Sequence, residues 1–256
     1  MHKATAVGAA LALVCAVLPA RSEAQARWNW GLRAGFDTAK FVGDPVSRWL
    51  SGPNLQISGQ VPNSRYGFTG GLFVRRQMTE RFGLALEALY AQKGGKGSIF
   101  GSGLVDYPGG PRPGDIDGTV DVRLDVIELP LLAEFVLPAS DGVSLVPLFG
   151  VVFGFNVGAS AVFSGEGRVP LPSGSTDVVR FEQGYDVSGA VDDYQTSGVL
   201  GAALEFETSR GYVVLDGRWA FSLGSIAADG ESRVGNSVLS FTIGIGRGLN
   251  WHGDED

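Results

Sequence analysis

From Phe82 to Tyr90 the chain alternates between two kinds of side chain. Phe82, Leu84, Leu86, Ala88 and Tyr90 share one parity; Gly83, Ala85, Glu87 and Leu89 share the other. A β-strand points successive side chains to opposite faces, so this segment has one apolar side and one small or charged side. Segments of this kind recur at about 28–36, 65–77, 82–92, 119–137, 143–163, 194–207, 212–223 and 236–249. Short turns (Met78-Thr79-Glu80-Arg81, Pro138-Ala139-Ser140-Asp141-Gly142 and Thr208-Ser209-Arg210-Gly211) alternate strictly with long loops at 37–63, 93–118, 164–193 and 224–235. A sheet whose continuous face is apolar belongs in lipid. Only closure then hides every backbone N–H and C=O, so the pattern predicts an all-β, eight-stranded antiparallel transmembrane β-barrel of the outer-membrane type. Short turns would lie in the periplasm and long loops outside.

The N-terminus fits that destination. His2 and Lys3 precede an apolar run from Ala4 to Leu18, and Ala24-Gln25-Ala26 supplies the small residues of a cleavage site. Residues 1–26 are therefore read as a signal peptide, cut after Ala26 with Ala24 as the rival, 27–249 as the barrel domain and 250–256 as a polar tail. Val14 before Cys15 argues against a lipoprotein anchor. Cleavage removes the single Cys, which leaves no disulfide framework and no Cys-ligated metal. It also removes Lys3 and Arg21 against Glu23 alone, so the mature chain is more acidic than the net −7 of the whole. Such a chain is not a nucleic-acid binder.

Aromatic residues are expected at both interfaces: Trp28, Phe82, Phe206 and Tyr212 near the periplasm, and Phe36, Tyr66, Tyr90, Trp219 and Phe221 near the outside. The fourth strand shifts phase. Val122, Leu124 and Val126 have one parity; Ile127, Leu129, Leu131, Ala133 and Phe135 have the other. A one-residue bulge near Val126 or Ile127 would keep both sets facing lipid. On the fifth strand Leu145, Phe149, Val151, Phe153, Phe155 and Val157 are expected outside, with Gly150, Gly154, Asn156 and Gly158 inside. A soluble lipocalin-like barrel would turn its apolar face inward. Here the charges share their face with Gly and Ala, which favours lipid outside.

Several stretches resemble the small outer-membrane barrels called PorT-like, or outer membrane protein β-barrel domain. They are Gly31-Leu-Arg-Ala-Gly-Phe-Asp37, Leu89-Tyr-Ala-Gln-Lys-Gly94, Ile127-Glu-Leu-Pro-Leu-Leu132 and Gly217-Arg-Trp-Ala-Phe-Ser-Leu-Gly224. The resemblance covers roughly 28–249 in order. It implies an integral protein of the bacterial outer membrane, porin-like in label and without shared catalytic residues. Expected partners are outer-membrane lipid and lipopolysaccharide, and the barrel assembly machinery during insertion. The chain departs from the family at its end, where Phe241, Ile243, Ile245 and Leu249 lead into 250–256 and Trp251 stands in for the usual terminal aromatic.

The candidate site is a lumen charge network of Arg33, Arg75, Glu87, Glu128, Glu134, Glu205, Asp216 and Arg218. Eight strands enclose only enough space for side chains, and charges packed there must pair. The alternative is a narrow gate or proton path, with Glu87, Glu128, Asp216 and Arg218 as its members. Catalysis is not expected: His2 falls in the signal and His252 in the tail, so no imidazole base sits in a strand-built site. No cofactor and no metal are expected. Gly94-Gly95-Lys96-Gly97-Ser98 lacks phosphate-loop spacing and reads as an exposed loop. The acidic residues Glu166, Asp177, Glu182, Asp186, Asp192 and Asp193 lack a recognised calcium-loop order and read as solvated charge. The first functional expectation is a structural or surface-interaction barrel with a largely filled lumen; the alternative is a narrow porin passing ions or small solutes.

Overall fold

The structure, a computed structural model, describes residues 28–44, 55–105 and 107–249, with backbone alone at 55–60, 62 and 249. The expected signal, the Arg48-Trp49-Leu50 segment and the tail fall outside the described residues. The chain forms β1 (Trp28–Gly43), β2 (Leu55–Gln77), β3 (Phe82–Val105), β4 (Arg112–Phe135), β5 (Leu137–Ser140), β6 (Val143–Pro170), β7 (Thr176–Asp186), β8 (Tyr194–Thr208), β9 (Gly211–Ser222) and β10 (Val234–Leu249). A single 3₁₀ turn, Ser188–Ala190, separates β7 from β8.

Eight of these strands form a closed antiparallel ring, β1-β2-β3-β4-β6-β8-β9-β10, sealed by β1 against β10 from Trp28↔Leu249 to Gly43↔Val234. β5 is a short hairpin arm on the start of β6, and β7 pairs only with the far half of β6. The outer wall is an apolar band. Leu32, Phe36, Phe68, Leu72, Phe149, Phe153, Leu200, Leu215, Trp219, Phe241, Ile243 and Ile245 are exposed there, as lipid contact requires.

The strands run well past that band on one side. Much of what reads as loop at 37–63, 93–118 and 164–193 is strand: β3 and β4 stay paired to Val105↔Arg112, and β6 and β7 to Pro170↔Thr176. Gly94-Gly95-Lys96-Gly97-Ser98 is therefore part of β3, not an exposed loop. Gly94 has φ +135, and a Cβ there would lie 1.9 Å from the Val122 carbonyl oxygen, so only glycine allows this approach. The β2–β3 ladder slips twice here, between Gln60 and Asn63 and, across the stretch that contains Gly94, between Ser64 and Thr69.

The expected bulge on β4 is absent. Its pairing with β3 keeps one register from Phe82↔Phe135 to Val105↔Arg112. Val120, Val122, Leu124 and Val126 share the inward parity of Glu128, Leu132 and Glu134, and all are buried. The extra residue sits opposite, on β6: Asp125 pairs with Gly158 and Val126 with Asn156, which leaves Val157 unpaired and exposed. Beyond it the parity of β6 flips, so Ala159, Ala161 and Phe163 point inward and Gly158 leaves the interior face.

Candidate functional site

The interior is layered. At the short-turn end, Arg75 lies between Glu134 (Nε–Oε2 2.5 Å) and Glu205 (Nη1–Oε2 2.5 Å). The Glu205 contact is a hydrogen bond; the Nε contact to Glu134 is close but misaligned, so it acts through charge alone. Phe73, Val146, Ala203, Tyr212 and Val214 pack around this group, and Arg75 stacks over the Tyr212 ring at 5.5 Å. Tyr212 thus faces the lumen rather than the interface where the sequence reading placed it, because it shares parity with Val214, Asp216 and Arg218.

The next layer is a four-membered cluster. Arg218 forks onto both oxygens of Glu87 at 2.7 and 2.9 Å and also bonds Asp216 at 2.7 Å. Arg33 Nη1 bridges the same two carboxylates at 3.1 and 3.2 Å and stacks over Phe73 at 5.0 Å. Two guanidiniums against two carboxylates leave no net charge. The bidentate fork is the geometry for which arginine is suited. Ala85, Leu132, Leu148, Val152 and Val199 fill the remaining space at this level.

Above it, Lys93 Nζ bonds Glu128 Oε1 at 2.5 Å. All eight residues singled out from the sequence are in ion contact with another of them or with Lys93. Two interior charges escaped the sequence reading. Lys93 was assigned to a loop, although the parity of Ala85, Glu87, Leu89 and Ala91 continues into it. Asp37 was likewise placed in a loop, yet it continues the inward parity of Arg33 and Gly35 and is buried opposite Ser240 of β10. A cavity with roughly 30 Å³ open to water-sized occupants lies between the layers, lined by Arg33, Thr69, Lys93, Glu128, Ser240 and Thr242 among others. That is room for about two waters.

The last layer is apolar. Phe41, Val61, Ile99, Val120, Val122, Leu124, Val126, Ala159, Ala161, Phe163, Val191, Ile226, Ala227 and Val234 form one buried cluster across the long-loop end. On the outside of the same strands, charge begins where the apolar band stops. Arg65 and Lys96 flank Asp121 at 2.9 and 3.0 Å, and Arg123 and the Tyr90 hydroxyl both bond Asp125, at 2.9 and 2.6 Å. Among the described residues no group of three or more His, Cys, Asp or Glu side chains is placed to hold a metal ion. Glu166 lies on β6, and Asp177, Glu182 and Asp186 are spread along β7.

A closed ring of antiparallel strands with an apolar outer band and a polar interior defines a β-barrel of the bacterial outer membrane. The chain belongs to the family described as outer membrane protein beta-barrel domain, whose profile matches residues 20–228. Solved barrels of similar fold include Ail, the attachment invasion locus protein of Yersinia pestis, at 16% identity and TM-score 0.35, covering 86% of this chain and 98% of that one. The outer membrane protease OmpT of Escherichia coli is similar at 11% identity and TM-score 0.46, covering 90% and 99%. OprG of Pseudomonas aeruginosa is similar at 12% identity and TM-score 0.38, covering 86% and 95%. No curated protein sequence is significantly similar to the chain.

Proposed function

We propose that this barrel is a non-catalytic structural and surface-interaction protein with a closed lumen, making its contacts through the strands and turns that rise above the membrane. The observation that carries this reading is the stacking of two kinds of filling in one bore: paired ions in the lipid-embedded part, and an apolar cluster from Phe41 to Val234 at the outer end. A hydrated ion entering from outside would have to cross that layer, where buried Asn236, opposite Phe41, is a polar side chain among the apolar ones named and cannot by itself replace a hydration shell. The resemblance to PorT-like barrels supports a membrane-embedded scaffold of this kind and adds no substrate.

One observation favours the second reading, a narrow ion pore. Among the described residues six interior carboxylates (Asp37, Glu87, Glu128, Glu134, Glu205 and Asp216) face four cations (Arg33, Arg75, Lys93 and Arg218), so any leak would select cations. Single-channel recording of the refolded chain lacking residues 1–26 separates the two, with heat-modifiable gel migration as the check on folding. A silent, folded barrel is expected. Reproducible cation-selective steps altered by Glu87→Gln or Arg218→Gln would overturn the closed-lumen reading.

A further inference from the structure

Beyond the lipid band the ring opens. β8 begins at Tyr194, opposite Phe155, and the upper part of β6 pairs instead with β7. The backbone bonds at the two ends of the β6–β7 ladder, Leu171 N to Ser175 O at 2.8 Å and Val187 N to Ala159 O at 3.0 Å, fall on odd-numbered residues of the second arm. The register is unbroken between them, so the odd residues of β7 bond β6. The even residues Thr176, Val178, Arg180, Glu182, Gly184 and Asp186 then turn their N–H and C=O groups to the free edge. Among the described residues no other strand pairs with that edge, and every one of these six is exposed. One donor is occupied locally: Val178 N–H bonds the Asp177 carboxylate at 2.9 Å.

A flat, uncharged edge of this length would take any strand. This one carries opposite charges two residues apart, with Arg180 and Glu182 on one face. Antiparallel pairing of β7 with the β7 of a second copy has one register that overlaps all six even residues. It sets Arg180 opposite the partner's Glu182, Val178 opposite Gly184 and Thr176 opposite Asp186, each as a hydrogen-bonded pair. Registers displaced by two residues set arginine against arginine or glutamate against glutamate, and like charges directly opposite destabilise a sheet. The sequence of the edge is therefore self-complementary in one alignment.

Orientation decides where that second copy stands. β7 runs from the tip of its hairpin back toward the membrane, and it does so in every copy in the same membrane. Such copies could meet only in parallel. A parallel ladder sets a residue with edge-facing groups opposite one without, which two equivalent edges related by a two-fold axis cannot do. An antiparallel partner must be inverted, and so must belong to an opposing membrane. We propose that β7 is a homotypic strand-addition site through which barrels on two facing membranes join edge to edge, with Arg180–Glu182 pairs setting the register. This rests on the surface-interaction reading above and names its partner as a second copy of the chain.

The test uses vesicles carrying the refolded chain lacking residues 1–26, with clustering followed by light scattering. Wild-type vesicles should cluster and protein-free vesicles should not. R180E and E182R, each alone, set like charges opposite one another and should slow clustering about tenfold. Both lie on an exposed edge, and only R180E disturbs the internal Arg180–Glu166 contact at 3.2 Å. Mixing R180E vesicles with E182R vesicles restores opposite charges at every pair, so clustering should return. No clustering of wild type overturns the proposal and leaves the edge for strands of other proteins. Loss in both variants without recovery in the mixture overturns it as well. Conductance of the same preparations reports on the closed lumen separately: a conducting barrel that still clusters sinks that reading and keeps this one.

Discussion

The two halves of β4 have the same parity and opposite chemistry. In the lipid band, Phe135, Ala133, Leu131, Leu129 and Ile127 face outward, while Glu134 and Glu128 face the lumen with Leu132 between them. Above it, Asp125, Arg123 and Asp121 face outward, while Val126, Leu124, Val122 and Val120 face inward. The β4 backbone makes no adjustment at the crossing, since its register with β3 is continuous there, and the extra residue at that level, Val157, belongs to β6. What changes is the solvent outside. Lipid takes the apolar face and leaves the charges to pair within; water takes the charges and leaves the apolar side chains to pack within. A switch of apolar parity along a barrel strand can thus mark the membrane surface rather than a bulge, and here it marks that surface between Ile127 and Asp125.

The lower half should therefore fail through charge and the upper half through packing. The largest effect is expected from Arg218→Ala. It removes the fork on Glu87 and leaves two buried carboxylates to Arg33, at a cost of about 4 kcal/mol. Urea unfolding in lipid vesicles measures it. A cost below about 1 kcal/mol would mean that water already bathes these charges, and the contrast between the halves would break. Leu124→Ala should cost about 3 kcal/mol through the cavity it leaves. Its damage should appear as proteolysis near Val105 and Arg112, with the heat-dependent gel shift of the barrel retained. Loss of the gel shift instead would show that the upper core holds the ring closed. The outward face gives a sharper test of the boundary. Leu131→Lys, in the middle of the lipid band, should cost about 2 to 3 kcal/mol, whereas Thr119→Lys, on the same outward face beyond Asp121, should stay within about 0.5 kcal/mol. Equal effects would move the membrane surface away from the position assigned between Ile127 and Asp125.

The ring was legible in the sequence because lipid enforces a strict period of two over every spanning segment, and the short turns carry their own punctuation in Met78-Thr79-Glu80-Arg81 and Thr208-Ser209-Arg210-Gly211. The upper sheet was not. Its outward residues are mostly polar, with Phe100 and Leu104 as exposed exceptions, and its inward ones include Gly95, Gly97 and Gly167, so the composition of 93–118 and 164–193 imitates a loop while the alternation continues underneath. The interior charges were readable wherever a strand had been recognised, as with Glu87 and Arg218. Asp37 and Lys93 were missed because both lie just beyond the point at which the strand was ended. Tyr212 was misplaced for another reason. An aromatic ring at a strand end resembles an interface anchor, but its parity with Asp216 and Arg218 turns it into the lumen.

The smallest expected effect lies at the foot of the free edge. The Asp186 carboxylate accepts the Ser188 backbone N–H at 2.9 Å where β7 gives way to the 3₁₀ turn. Hydrogen bonds from Ser188, through its side chain and its backbone, hold the Asp186 carboxyl below the usual aspartate range. A depressed folded-state value means the contribution is fully present above the ordinary aspartate range and is lost as pH falls through the lower, folded value. Hydrogen exchange at the Ser188 amide should therefore stay slow from neutral pH down to about 4 and lose protection below it, relative to the pH trend of unstructured peptide. The Val187 amide, which bonds the Ala159 carbonyl instead, should keep its protection over the same range. Asp186→Asn should flatten the Ser188 profile. If both amides lose protection together, the end of β7 opens as one unit with the upper sheet, and the edge strand is held by the ladder to β6 rather than by its own terminal turn.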